Sequence, residues 1–260
     1  MQRWWKTVLS MGKITVVGIG PGSLLDMTPR ARQTIAEAKV VAGYNTYIKL
    51  IEPLLMDKKV IGTAMMQEID RCRMAVAEAA AGNDTVVVSS GDAGVYGMAG
   101  LVLELVLKCP EDARPAFGGV IAGVSAVNAA ASCLGAPLMH DFAVISLSNL
   151  LTPWEKIVER IEMAAKGDFV TALYNPKSKK RVQNIEIVQE IMLRYRDPKT
   201  PVGIVTAASR EKEQKVIATL ADFTKEDINM FSLVIIGNSQ TYVKEGYMIT
   251  PRGYENKEQL

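Results

Sequence analysis

Along the first half of the chain, short β-branched runs alternate with longer stretches in which apolar residues recur every three or four positions. The runs at 13–18, 40–42, 85–89 and 119–122 predict strands, and the stretches at 28–38, 68–82, 98–108 and 125–134 predict helices between them. Strand and helix in alternation build a parallel sheet with crossover helices. Thr28 suits an N-cap and Pro29 the first helical position, while Gly82 closes the helix that precedes the 85–89 strand. Pro137 marks a break, since the residue before a proline is biased away from helix. From 141 the pattern restarts, with strands over 142–146, 169–174, 202–206 and 233–236 and helices over 155–165 and 181–194. The expectation is an α/β chain of two lobes, 12–137 and 138–250, preceded by a ragged extension over 1–11 and followed by a tail over 251–260.

Composition narrows the chemistry. Hydrophobic residues fill 48% of 260 positions, enough to bury a core. The 30 basic and 28 acidic residues are spread along the chain and leave a formal charge of +2, so no global field would draw in nucleic acid or an anionic membrane. Any anionic ligand must be met locally. Cys72, Cys109 and Cys133 are scattered and form no C-x-x-C pair, which predicts neither a disulfide framework nor a thiolate metal site and suits a reducing cytoplasm. His140 is the only histidine, so a site built from several imidazoles is excluded by count, and no protein-bound metal is expected. The uncharged run over 115–139 is long enough to span a bilayer. Its glycines, with Asn128 and Pro137, instead predict a strand, a turn and a small-residue helix inside a lobe. The apolar part of the first residues is too short and broken for a secretory signal.

Ligands of open α/β sheets bind beyond the carboxyl ends of strands, and three such places are rich in small residues. The first is VVGIGPGS, Val16 to Ser23. A dinucleotide fingerprint needs glycine at Ser23 and an acidic residue after the second strand, where Gly43-Tyr44 stands, and Pro21 removes an amide that would cradle a pyrophosphate. No Gly-Lys-Ser/Thr ending supports a P-loop either. The second is SSGDAGVYGMAG, Ser89 to Gly100, where Asp92 is the only charge between Asp84 and Glu104. An Asx-type turn accounts for Asp92 alone; the glycine density points to close approach of a ligand to the backbone. The third is Gly123-Val124-Ser125-Ala126, where Ser125 either caps a helix or offers its hydroxyl to a ligand.

Taken together, these stretches resemble the tetrapyrrole methyltransferases, which use S-adenosyl-L-methionine to methylate rings derived from uroporphyrinogen. The matching pieces are VVGIGPGS…MTPRA, SSGDAGVYG, GVSAVNAAASCLGAPLMHDF, Tyr174-Asn175-Pro176 and the run from Thr206 to Glu211, in order, from about 12 to about 237. GYNTYIKLI, HDFAVISLSNLLTPW and LYNPKSKKR are most similar to members that act at carbon 17 of a corrin precursor. The resemblance implies a two-lobed α/β fold with the cofactor cleft between the lobes, a homodimer, and a role in cobalamin assembly. It places cofactor contacts at Gly20, Pro21, Ser90, Gly91, Asp92, Val95, Tyr96, Ser125, Ala126, Asn175 and Ala208.

Methyl transfer from a sulfonium is an in-line displacement that needs orientation and a dry site rather than a metal or a covalent intermediate. The ring carries carboxylates, and Lys177, Lys179, Lys180 and Arg181 form the densest basic cluster, at the expected start of a helix; a solvated charge run is the ordinary alternative. In the carbon-17 step that the resemblance implies, methylation accompanies ring contraction, which asks for proton transfers, and the members that the chain resembles act on rings with or without cobalt. His140 and Asp141 are the candidates for that task, against a structural role at the linker. Competing readings are a methyltransferase of the same class acting at another ring position or on a protein histidine, a nicotinamide-dependent oxidoreductase, and a non-catalytic tetrapyrrole carrier.

Overall fold

A computed structural model of the chain describes residues 11–178 and 181–254. The predicted extension apart from Met11, most of the predicted tail, and the candidates Lys179 and Lys180 lie outside the described residues. The chain divides into two units, one ending at Ser125 and the other beginning at Ala126.

The first unit carries β1 (Lys13–Gly18), α1 (Pro29–Glu37), β2 (Val40–Tyr44), α2 (Asn45–Leu50), β3 (Lys59–Thr63), α3 (Glu68–Ala80), β4 (Thr85–Ser89), α4 (Ala99–Leu107) and β5 (Ala116–Ile121). Its strands form one parallel sheet in the order β3-β2-β4-β1-β5. Alternate side chains face opposite ways. Ile14, Val16, Ala42 and Val87 pack with α3 and α4, whereas Val17, Val41, Val86 and Val88 pack with α1 and the segment around Ile51. Because both faces are covered, β1 and β4 read as unbroken apolar runs. Thr28 caps α1 by accepting the Ala31 N–H at 3.1 Å, with Pro29 at the first helical position, as the sequence predicts.

The second unit carries α5 (Ala126–Leu134), β6 (Gly135–Ala136), β7 (Phe142–Ser146), α6 (Trp154–Lys166), β8 (Val170–Tyr174), α7 (Asn184–Leu193), β9 (Pro201–Thr206), β10 (Gln214–Thr219), β11 (Ser232–Ile236), β12 (Tyr242–Lys244) and β13 (Tyr247–Ile249). The main sheet runs β10-β9-β11-β8-β7. β7, β8 and β9 share one direction, with β11 antiparallel between β8 and β9, and β10 antiparallel to β9 at the edge. Ile145, Leu173, Ile204 and Val234 pack with α6 and α7, while Val170, Ala172, Val205 and Ile235 pack with α5. β12, β13 and β6 make a small separate sheet.

Three differences from the sequence reading have physical reasons. The sequence places the lobe boundary at 137/138, whereas the structure divides the chain before α5, whose Val127, Ala130 and Leu134 bury against the second sheet. The helix predicted over 181–194 starts at Asn184, because Ser178 and Arg181 exchange backbone hydrogen bonds of 3.2 and 3.1 Å in a turn before it. Arg181 therefore does not occupy a helical first turn. β3 and β10 are edge strands, largely exposed, so neither shows the apolar run that marks a buried strand. No described helix is long and apolar enough to cross a membrane; the run over 115–139 folds as β5, α5 and β6.

Candidate functional site

β4, β1 and β5 are adjacent and parallel, so the loops leaving their carboxyl ends lie side by side. Gly20 and Gly91 tie the first loop to the second: Gly20 N–H donates to Gly91 O at 3.1 Å and Gly91 N–H to Gly20 O at 2.7 Å. Both sit at positive φ, 77° and 67°, which glycine adopts without steric cost. Asp92 ties the second loop to the third, its Oδ2 accepting Gly123 N–H at 3.0 Å while Oδ1 accepts Gly94 N–H at 2.8 Å. The second of these bonds is an Asx-type turn, so that reading holds at Asp92 alongside the bridging one. Beneath them a Cβ on Gly18 would stand 2.7 Å from Gly91 O and 2.8 Å from Gly123 N. Only bare backbone lets three strand ends come this close. Pro21 and Ser125 are buried beside this junction, Ser90 is half-buried, and Val95 and Tyr96 are exposed, with Tyr96 at φ 53°. Strained backbone of this kind gathers at functional loops.

The same geometry weighs against a pyrophosphate. Ile19 and Gly20 donate their N–H groups to Ser89 O and Gly91 O, and Pro21 has none, so the amides of a phosphate-cradling loop are spent or missing.

In the second unit β7, β8 and β9 end on one side of the sheet. Asn175, at φ 52°, follows β8 and donates from Nδ2 to Ser146 Oγ at the end of β7, at 3.0 Å. The Tyr174 hydroxyl accepts Val127 N–H at 3.0 Å and so fixes the start of α5, where Ala126 lies. After β9, Ala207 and Ser209 also take positive φ, 54° and 57°, around the half-buried Ala208. Arg181 donates from Nη1 to Leu147 O at 3.0 Å and from Nε to Ser178 Oγ at 3.2 Å, and partial burial holds its guanidinium below the usual range. Lys177 is half-buried in the same loop.

His140 and Asp141 are exposed and precede β7, whereas Ser146 ends β7 and Asn175 follows the carboxyl end of β8, at the opposite end of the sheet. His140 Nδ1 accepts the Asp141 N–H at 2.9 Å, and at roughly 3.3 Å per strand residue the length of β7 keeps both from the Asn175 loop. Two of the three thiols offer no substitute: burial pushes Cys72 up to about 11, and burial followed by a hydrogen bond with Glu213 pushes Cys133 up to about 11, so neither is a thiolate at neutral pH. Sequence reading missed Ser146, Tyr174 and Gly18 as positioning groups, because each acts on a partner distant in the chain.

A family model described as Tetrapyrrole (Corrin/Porphyrin) Methylases matches residues 13–224. Two curated relatives are each 49% identical: a cobalt-factor III methyltransferase of Priestia megaterium, over 95% of this chain and 46% of that protein, and a probable cobalt-factor III C(17)-methyltransferase of Salmonella typhimurium, over 93% and 99%. The chain thus spans about half the length of the first and nearly all of the second. Among solved structures, the methyltransferase CobJ is 36% identical with a TM-score of 0.87, covering 92% of this chain and 100% of that one. Uroporphyrin-III C-methyl transferase from Thermus thermophilus, complexed with S-adenyl homocysteine, is 25% identical with a TM-score of 0.68, covering 87% and 97%. With the match running from β1 past β10 and taking in the glycine loops of the first sheet, the chain belongs to the tetrapyrrole (corrin/porphyrin) methylase family.

Proposed function

We propose that this protein transfers a methyl group from S-adenosyl-L-methionine to carbon 17 of a cobalt-bearing corrin precursor, coupled to ring contraction, in cobalamin assembly. The observation that carries the reading is the junction of Gly18, Gly20, Gly91, Asp92 and Gly123, where three strand-end loops meet through glycine backbone and the Asp92 carboxylate. The 49% identity to proteins named for cobalt-factor III supports the ring and the carbon; the relative crystallised with S-adenyl homocysteine supports the donor. Cobalt carried by the ring, a cytoplasmic location and a homodimer belong to the same proposal.

The residues fit an adenosyl ligand. Backbone amides and carbonyls, one carboxylate and hydroxyls offer hydrogen bonds for an adenosine and an amino acid, and glycines admit it close to the main chain. The proposed contacts are Gly20, Pro21, Ser90, Gly91, Asp92, Val95, Tyr96 and Ser125, to which the family resemblance adds Ala126, Asn175 and Ala208. When bound, the cofactor supplies an electrophilic methyl on a sulfonium. The protein's work is to hold the accepting carbon in line and keep water out, for which rigid strand-end loops are suited. Asp92 is already held by two backbone N–H donors, so it presents fixed lone pairs rather than a mobile charge. Lys177 and Arg181 are the proposed local cations for ring carboxylates. His140 remains a candidate only for a proton step outside this cluster.

The test is to incubate the purified protein with cobalt-factor III and methyl-labelled cofactor. One labelled methyl at carbon 17 of a ring-contracted product supports the reading. Label at another ring position, or binding of NAD without S-adenosyl-L-homocysteine, overturns it.

A further inference from the structure

The first sheet holds a buried cation that the proposed methyl transfer does not use. Among the described residues two guanidiniums are buried, Arg196 in the second unit and Arg71 in α3, 6% and 3% exposed. Arg196 is spent on the fold: it donates to the carbonyls of Gly237, Ala164 and Phe169, and its Nε faces Asp168 at 4.0 Å. Arg71 has no such set. One terminal nitrogen donates to Thr63 Oγ1 at 2.6 Å, the other lies 3.6 Å from Met98 Sδ, and Nε has no partner. Among the described residues no carboxylate oxygen lies within 4.0 Å of it. A hydroxyl and a thioether are poor compensation for a desolvated charge, and an uncompensated buried ion is strongly unfavourable.

Its position says what would compensate it. Thr63 ends β3, and β3 runs parallel with β2 and β4, so the guanidinium lies at the same end of the sheet as the Gly20–Gly91 bridge. Met98 stands at the start of α4, where the glycine-rich second loop enters the helix, and is only half-buried. Thus a half-buried, flexible thioether lies against the cation, and methionine yields readily to an incoming group. We propose that Arg71 anchors a carboxylate subsite at this end of the first sheet, with Met98 as its displaceable cover. The ligand group is a carboxylate, from the rim of the tetrapyrrole or from the amino-acid end of the cofactor; a planar guanidinium matches either with two parallel hydrogen bonds. The inference rests on the methyl-transfer reading above.

Calorimetric titration of the wild type, R71M and R71K separates the sources. The ligands are S-adenosyl-L-homocysteine, 5′-methylthioadenosine, which keeps the adenosine and thioether but lacks the amino-acid carboxylate, and cobalt-factor III. R71M is expected to weaken one carboxylate ligand by roughly 10- to 100-fold, the range of a lost charge-assisted pair, and to leave methylthioadenosine within about twofold. Loss at S-adenosyl-L-homocysteine alone assigns the subsite to the cofactor; loss at cobalt-factor III alone assigns it to the ring. No loss at either, or an equal loss at all three, overturns the proposal. A melting temperature kept or raised in R71M together with a selective affinity loss supports a ligand role, whereas a lowered melting temperature with an equal loss at all three ligands marks a structural one. R71K keeps the charge and carries the same comparison should R71M not fold, with a smaller, equally selective loss expected. If wild-type protein binds none of the three, it is the methyl-transfer reading that fails.

Discussion

Gly123 and Asp92 tie strand-end loops together, and Asp92 is also a proposed cofactor contact. A Cβ on Gly123 would overlap Gly91 O and stand 2.7 Å from Gly18 O, and none of these backbones has a flexible end to move aside. Gly123→Ala is therefore expected to cost about 1–3 kcal/mol of stability, the usual range for overpacking, and to weaken S-adenosyl-L-homocysteine binding in parallel. Urea midpoints and a cofactor titration on the same sample check both. Asp92→Asn replaces one accepting oxygen by a donor, so either Gly123 N–H or Gly94 N–H loses its partner, at about 1–3 kcal/mol for a group left unsatisfied. If Asp92→Asn proved as stable as wild type yet inactive, the carboxylate would serve the ligand and not the loops.

At the level of elements, α5 carries the clearest long-range argument. Its row of small residues would lie on either sheet, and nothing local in Val127 to Leu134 says which. Gly203 in β9 decides it: a Cβ there would run into the Leu134 side chain, so the helix sits where that strand has a gap. Gly203→Val should destabilise the protein by about 1–3 kcal/mol through overpacking, read as a lower thermal midpoint, while Gly119→Ala, with open space but φ 88°, tests strain in β5 without any clash. The same contrast explains what the sequence made legible. β1, β4, β8 and β11 are covered on both faces and announce themselves as apolar runs, and the first two glycine loops follow from their positions after β1 and β4, whereas the third follows the half-exposed edge strand β5. The edge strands β3 and β10 face solvent and carry no such signal. Arg71 reads as one more polar position on an amphipathic helix, because its burial is imposed by Thr63 and Met98, one before the helix and one beyond the next strand.

The molecule as a whole has almost no net field, with 30 basic against 28 acidic residues. A ring bearing many carboxylates would be gathered over long distances only by a protein of strong opposite charge, and such steering collapses as salt shortens the Debye length from about 14 Å at 50 mM to about 7 Å at 200 mM. Here the proposed cations are few and sheltered: Arg71 is buried, and Arg181 is held half-buried against Leu147 O and Ser178 Oγ with no acidic partner among the described residues. Short-range contacts between partly desolvated groups are screened far less than surface charges. The expected outcome is that kcat/KM for the tetrapyrrole changes by less than roughly threefold between those two salt concentrations, whereas Arg181→Ala raises KM by about tenfold at both, the scale of one hydrogen bond to a charged group. A steep salt dependence in the wild type, abolished by neutralising surface lysines rather than Arg181, would move substrate recognition from these fixed guanidiniums to the diffuse charge of the surface.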